Sequence, residues 1–205
     1  MITLDHFAVS AETLALAVDH AQAAMGAPLQ PGGMHDVFHT HNQLMGLEDG
    51  LYLEAIAINP DAPTPNRPRW FDLDRFAGPP RLTNWICRTD DIEAALADLP
   101  AGMGRPVALQ RGDLKWRMAV PDTGVLPFEN CAPALIQWAT DRHPATALAP
   151  TGLALDTFVV THPQASEMSD IFGELLGDAR IRFETGAKPG LFAKFTGPDG
   201  SIVLR

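Results

Sequence analysis

Three times along the chain, a short strand-like apolar run gives way to a helix-compatible stretch and then to further extended pieces. The first run is Leu4-Asp5-His6-Phe7-Ala8-Val9-Ser10. Leu14, Leu16, Val18 and Ala21 follow as the apolar positions of a helix within Ala11 to Met25, stopped by Gly26. Extended pieces are expected at Val37 to Leu44, Met45 to Leu47 and Leu51 to Ile58, with a hairpin turn at Glu48-Asp49-Gly50.

A second copy opens with Leu82-Thr83-Asn84-Trp85-Ile86-Cys87-Arg88 and a helix from Ile92 to Leu99, introduced by Asp90-Asp91. Its extended pieces are Pro106 to Gln110, Trp116 to Val120 and Ala134 to Ala139, with Asp122-Thr123-Gly124 as a turn. A shorter third copy runs from Leu155-Asp156-Thr157-Phe158-Val159-Val160 through a helix, Met168 to Leu176, to strands at Ile181 to Glu184, Leu191 to Phe195 and Ser201 to Leu204. Pro198-Asp199-Gly200 is its turn. Laid over one another without gaps, Leu4-Asp5-His6-Phe7 matches Leu82-Thr83-Asn84-Trp85. In the closing strands, Tyr52-Leu53-Glu54-Ala55 matches Leu135-Ile136-Gln137-Trp138. Repetition of this kind predicts duplication. The expected organisation is paired units over 1–140 (1–58 and 81–140, joined by the Pro/Asp-rich linker 59–80), a second linker 141–150, and a shortened third unit over 151–205.

Composition narrows the function. With 205 residues, 46% of them hydrophobic, the chain can bury a real core, and 25 acidic against 15 basic side chains argue against a nucleic-acid partner. The N-terminal stretch lacks a signal-peptide pattern, and the apolar runs are too short to span a membrane, so a cytoplasmic protein is expected. Cys87 and Cys131 form neither a disulfide framework nor a CxxC motif and are read as free thiols. No nucleotide-binding fingerprint and no GxSxG elbow is present.

Leu4-Asp5-His6, Thr40-His41-Asn42, Tyr52-Leu53-Glu54, Pro68-Arg69-Trp70-Phe71 and Leu135-Ile136-Gln137-Trp138 together resemble the glyoxalase-like branch of the vicinal-oxygen-chelate superfamily. The resemblance implies an α+β fold in which tandem βαβββ units form a half-open barrel around a central cleft, with the third unit as a shortened addition. It also implies a divalent metal ion (zinc, iron, manganese or nickel) that chelates oxygens of a small-molecule substrate, with His6, Glu54 and Gln137 as its ligands. Such an enzyme would be of isomerase or lyase type and dioxygenase-like in architecture, with Glu54 or His41 moving a proton. Asn84, Arg69 and Trp138 would contact substrate, and a homodimer is possible.

Each residue also has a plainer reading. Glu54 can face solvent with Tyr52, or sit inside, where a carboxylate needs a partner. His41 shares a strand face with His39 and Gln43, and only if that face lines the barrel does it approach His6. Arg69 can pair with a neighbouring acid such as Asp72, and Trp85, Trp116 and Trp138 can be packing. A metal-free protein that sequesters a small molecule is the alternative function. The third unit, with Thr157 where His6 stands, is expected to serve folding or dimerisation.

Overall fold

The computed structural model describes residues 1–140, 142–198 and 200–205. The first unit comprises β1 (Thr3–Ser10), α1 (Leu14–Met25), β2 (Gln30–His35), β3 (Thr40–Gly46) and β4 (Tyr52–Ile58). The second comprises β5 (Arg81–Arg88), α2 (Ile92–Ala97), β6 (Arg105–Arg111), β7 (Leu114–Val120) and β8 (Ala134–Trp138). All eight strands join one sheet in the order β2-β3-β4-β1-β5-β8-β7-β6. Each unit closes with its last strand parallel to its first, and the units join through antiparallel β1 and β5. The sheet curls into a half-barrel whose two edge strands approach each other: a methyl group added at Gly33 of β2 would lie 2.5 Å from Cδ of Arg111 on β6.

Local chemistry accounts for most boundaries. Thr13 caps α1 by accepting from the Leu16 N–H, and Gly26 ends it in the left-handed conformation, φ 68°. Asp91 caps α2 in the same way, which stops at Ala97 rather than Leu99, before Pro100. The expected extended piece at Val37 to Leu44 begins only at Thr40, because residues 37–39 form a turn with His39 at φ 51°. That strand then runs on through the expected second piece to Gly46. β2, built from Gln-Pro-Gly-Gly-Met-His, was not anticipated, since nothing in that composition favours a strand.

The third segment carries β9 (Ala154–His162), α3 (Ala165–Leu176), β10 (Ile181–Thr185), β11 (Gly190–Gly197) and β12 (Gly200–Leu204). Its element order is again βαβββ, but its pairing differs: the four-stranded sheet runs β10-β9-β11-β12, with β10 parallel beside β9. Asp199 of the expected turn and Asp141 of the second linker lie outside the described residues. This sheet covers the outer face of the seam between units. Phe158 packs at a tilt against Phe7 at 5.0 Å and Trp85 at 5.2 Å between ring centres, and Phe195 meets Phe7 edge-on at 6.0 Å. Among the described residues no helix is long and apolar enough to cross a membrane. Cys87 and Cys131 are buried free thiols.

Candidate functional site

The concave face of the half-barrel holds a narrow cleft lined by side chains of β1, β2, β3, β4, β6, β7 and β8 and by the linker aromatics Trp70 and Phe71. Its space open to the centres of water molecules is ≈ 30 Å3, room for about two waters. His6 and Glu54 face one another across it, both almost fully buried (4% and 5% exposed). His6 Nε2 and Glu54 Oε2 stand 3.8 Å apart, too far for a direct hydrogen bond. Tyr52 faces inward with Glu54 and stacks on the His6 ring, 4.2 Å between centres and 13° from parallel.

A local irregularity positions His6. Pairing of β1 with β5 shifts register between Leu4 and His6, leaving Asp5 as an extra residue at a bulge. The fully buried Asp5 carboxylate lies 2.6 Å from His6 Nδ1 and 2.9 Å from His143 Nε2, and accepts from Trp138 Nε1 at 3.1 Å. Arg88 Nη1 stands 3.6 Å away. Burial alone would raise the Asp5 pKa, but hydrogen bonds from His143 and His6, with their charges, hold it well below the usual carboxylate range. An ionised Asp5 can only accept, so His6 presents an Nδ1–H to it and leaves Nε2, facing Glu54, as the nitrogen that exchanges protons with the cleft.

The other side of the cleft is ordered by Asn42. Its Oδ1 accepts from the Gly33 N–H at 2.8 Å and from Arg111 Nη1 at 3.0 Å. Its Nδ2 donates to Glu54 Oε1 and lies 3.4 Å from His35 Nε2. Two donors on the oxygen and two acceptors on the nitrogen allow one amide orientation. His35 is then an acceptor at Nε2 and donates through Nδ1 to Thr40 Oγ1 at 2.9 Å. Burial, helped by the nearby Arg111 charge, pushes its pKa down to about 3, so it stays neutral.

Comparison with known proteins settles the family. The sequence profile of the glyoxalase-like domain family matches residues 4–176. The chain belongs to the glyoxalase-like domain family. A hypothetical protein from Staphylococcus aureus superposes with TM-score 0.63 at 15% identity, covering 92% of this chain and 88% of that one. Methylmalonyl-CoA epimerase from Mycobacterium tuberculosis gives 0.42 at 17% identity, covering 66% and 85%. A Streptomyces coelicolor methylmalonyl-CoA epimerase variant in complex with 2-nitronate-propionyl-CoA gives 0.44 at 16%, covering 69% and 100%. Likeness at such identities describes fold alone. No curated relative matches the chain.

Within this glyoxalase-like domain the anticipated site residues separate into two groups. His6, Glu54 and Trp138 meet at the cleft. Asn84, Arg69, His41 and Gln137 do not. Asn84 is buried on β5, its Oδ1 3.4 Å from Asn130 Nδ2, and does not line the cleft. Arg69 is engaged by Asp74, at 2.5 Å, rather than by Asp72, which pairs with Arg75. His41 sits on the face of β3 opposite Asn42 and Leu44, which line the cleft.

Gln137 has moved for a reason of register. β1 pairs Ala8 with Glu54, and β5 pairs Ile86, the repeat counterpart of Ala8, with Ala134. Ala134 is therefore the structural counterpart of Glu54, and Gln137 lies three residues further along. An odd offset turns a side chain to the other face of a strand. Gln137 accordingly accepts from the Ile92 N–H at the start of α2 and from Arg117, and donates to the Asp90 carbonyl.

The same register bears on the metal that the resemblance implies. A catalytic metal usually takes about three protein ligands and keeps a position open. His6 Nε2 and Glu54 Oε2 are suitable donors, and Asp5 orients His6 as carboxylates orient metal-bound imidazoles. The counterparts in the second unit are Asn84, which does not reach the cleft, and Ala134, which has no donor. Among the described residues no group of three or more His, Cys, Asp or Glu side chains converges to hold an ion. The donor set does not fit a resident metal.

Several residues of the site escaped sequence reasoning. Asp5 lay inside the Leu4-Asp5-His6 phrase without a role of its own, because the bulge and the long-range contact with His143 that place it are tertiary. Asn42 lay inside the recognised Thr40-His41-Asn42 phrase, beside the histidine that attracted attention. Arg111 ends an exposed-looking strand and enters the cleft only because Gly33 leaves space for it.

Proposed function

We propose that the cleft is the active site of an isomerase- or lyase-type enzyme acting on a small oxygenated metabolite. Glu54 takes a proton from a carbon next to a carbonyl, and His6 gives one at the neighbouring oxygen. The observation that carries this reading is the 3.8 Å gap between His6 Nε2 and Glu54 Oε2, two buried groups each fixed from behind and not bonded to one another. Asp5 supports positive charge on the His6 ring as it trades protons. Asn42 leaves Glu54 Oε2 free while holding Oε1. The narrow cleft admits only the reacting end of a molecule, and its aromatic walls exclude water around the transferring proton.

The test is solvent-deuterium incorporation, followed by proton NMR, into a panel of small 2-oxo acids and 2-hydroxyaldehydes. Wild-type protein is expected to accelerate exchange at the carbon beside the carbonyl. Glu54→Gln and His6→Gln each lower that rate about 100-fold or more while circular dichroism stays unchanged. A rate that vanishes on chelation and returns with zinc, iron, manganese or nickel would instead support a metal held by His6 and Glu54.

The aromatic lining from Tyr52, Trp116 and Trp138 favours a second reading, metal-free sequestration of a small molecule. Tight binding that quenches tryptophan fluorescence, without exchange in any compound, would select it.

A further inference from the structure

Arg111 is the one arginine in the cleft lining, at the end of β6, and it reaches across the opening of the half-barrel to β2. Its Nη1 donates to Asn42 Oδ1 at 3.0 Å. Among the described residues it has no ion-pair partner within 4.0 Å, and Asn42 is its hydrogen-bond acceptor. Arg69, Arg75, Arg88, Arg105, Arg117, Arg142 and Arg180 face carboxylates, and of the remaining arginines Arg111 is the one that lines the cleft. A guanidinium has five N–H donors in a planar fork, and a neutral amide uses one of them. The seat is also built for it: Gly33 carries no Cβ where one would meet Arg111 Cδ at 2.5 Å, and its N–H braces the same Asn42 oxygen.

We infer that Arg111 is the substrate-anchoring residue of the cleft and that the substrate carries a carboxylate. The inference rests on the cleft being the small-molecule site. The free edge of the guanidinium takes the carboxylate in the two-pronged manner that its geometry matches. Asn42 joins Arg111 on one side to Glu54 on the other, so a carboxylate on Arg111 places the adjoining carbon beside the Glu54 base. Electron withdrawal toward the anchored group and the neighbouring carbonyl makes that carbon the acidic one. Substrates of this class are short 3-oxo acids, in which the carbon next to the carboxylate also adjoins a carbonyl and carries the proton that Glu54 takes.

The experiment uses the whole chain and isosteric probe pairs: oxalate against oxamide, and malonate against malonamide. Binding is followed by calorimetry and by fluorescence of Trp70, Trp116 and Trp138, which line the cleft. Wild type is expected to prefer the dianion about tenfold or more over the diamide. Arg111→Met removes that preference while leaving diamide binding within about twofold of wild type, and Arg111→Lys retains part of it with a steeper loss in salt. Equal binding of dianion and diamide to wild type overturns the assignment to Arg111 and leaves the cleft as the ligand site. An undiminished preference in both variants does the same, placing the anion elsewhere. If neither probe of either pair binds, the small-molecule reading of the cleft fails with it.

Discussion

The protonation of single side chains decides what the cleft can do, and His35 gives the clearest consequence. Its pKa of about 3 means that the folded protein refuses a proton which the unfolded chain accepts below about 6.5. Stability from this group is therefore complete above pH 6.5 and is lost as the pH falls, at about 1.4 kcal/mol per pH unit for one proton. Asp5, held low, adds its own loss only at more acidic pH, below its ordinary value of 3.8. Urea unfolding at pH 7 and pH 5 should show wild type losing about 2 kcal/mol more than His35→Gln over that interval. Equal losses would mean that His35 is protonated in the folded state. None of this was visible from the residue alone: His35 stood unremarked in a Gly-rich stretch, while His41, in a recognised phrase, lies on the other face of β3.

At the scale of elements, β2 shows how a weak strand serves a site. Its pairing with β3 shifts register between Pro31 and Gly33, so Gly32 is the extra residue of a bulge pressed against Asn42. A Cβ there would lie 2.0 Å from Asn42 Oδ1 and 2.7 Å from its carbonyl oxygen. The second contact is with backbone and cannot be relieved by a rotamer change. Gly32→Ala is expected to cost about 1–3 kcal/mol by thermal unfolding and to slow deuterium exchange by loosening Asn42 from Glu54. Wild-type stability and rate in this variant would show that β2 yields freely. The Gly32-Gly33 pair lacks phosphate-loop spacing, and its use became apparent only when β3 and β6 were placed beside it. Strand type and order elsewhere were legible because apolar runs and capping residues act locally.

For the molecule as a whole, the third segment is tied to the half-barrel by core and backbone alike. Phe158 packs between Phe7 and Trp85, while the Glu48 N–H donates to the Leu153 carbonyl at 2.8 Å and the Leu82 N–H to the Arg205 carbonyl at 2.8 Å. Such sharing of one core predicts a single unfolding transition. Phe158→Ala should lower stability by about 3–5 kcal/mol in urea, with fluorescence and circular dichroism changing together. Separate transitions for the two probes would mean that the segment folds on its own. Its difference in strand pairing from the first two units agrees with a sheet that covers their seam rather than extending the half-barrel.

By itself the sequence determined the three-fold recurrence of elements, the glyoxalase-like resemblance and the pair His6 and Glu54. These rest on local patterns: apolar periodicity, turn residues and short phrases along the chain. Tertiary structure alone decided which face each strand turns inward. A shift of three residues between β4 and β8 took Gln137 out of the site, and a bulge at Asp5 brought that carboxylate into it. Because strand side chains alternate faces, one residue of register outweighs the chemistry of the side chain that it moves. The meeting of Arg111 with Asn42 and Gly33 was likewise decided by the curl of the sheet, which brings together strands far apart in the chain.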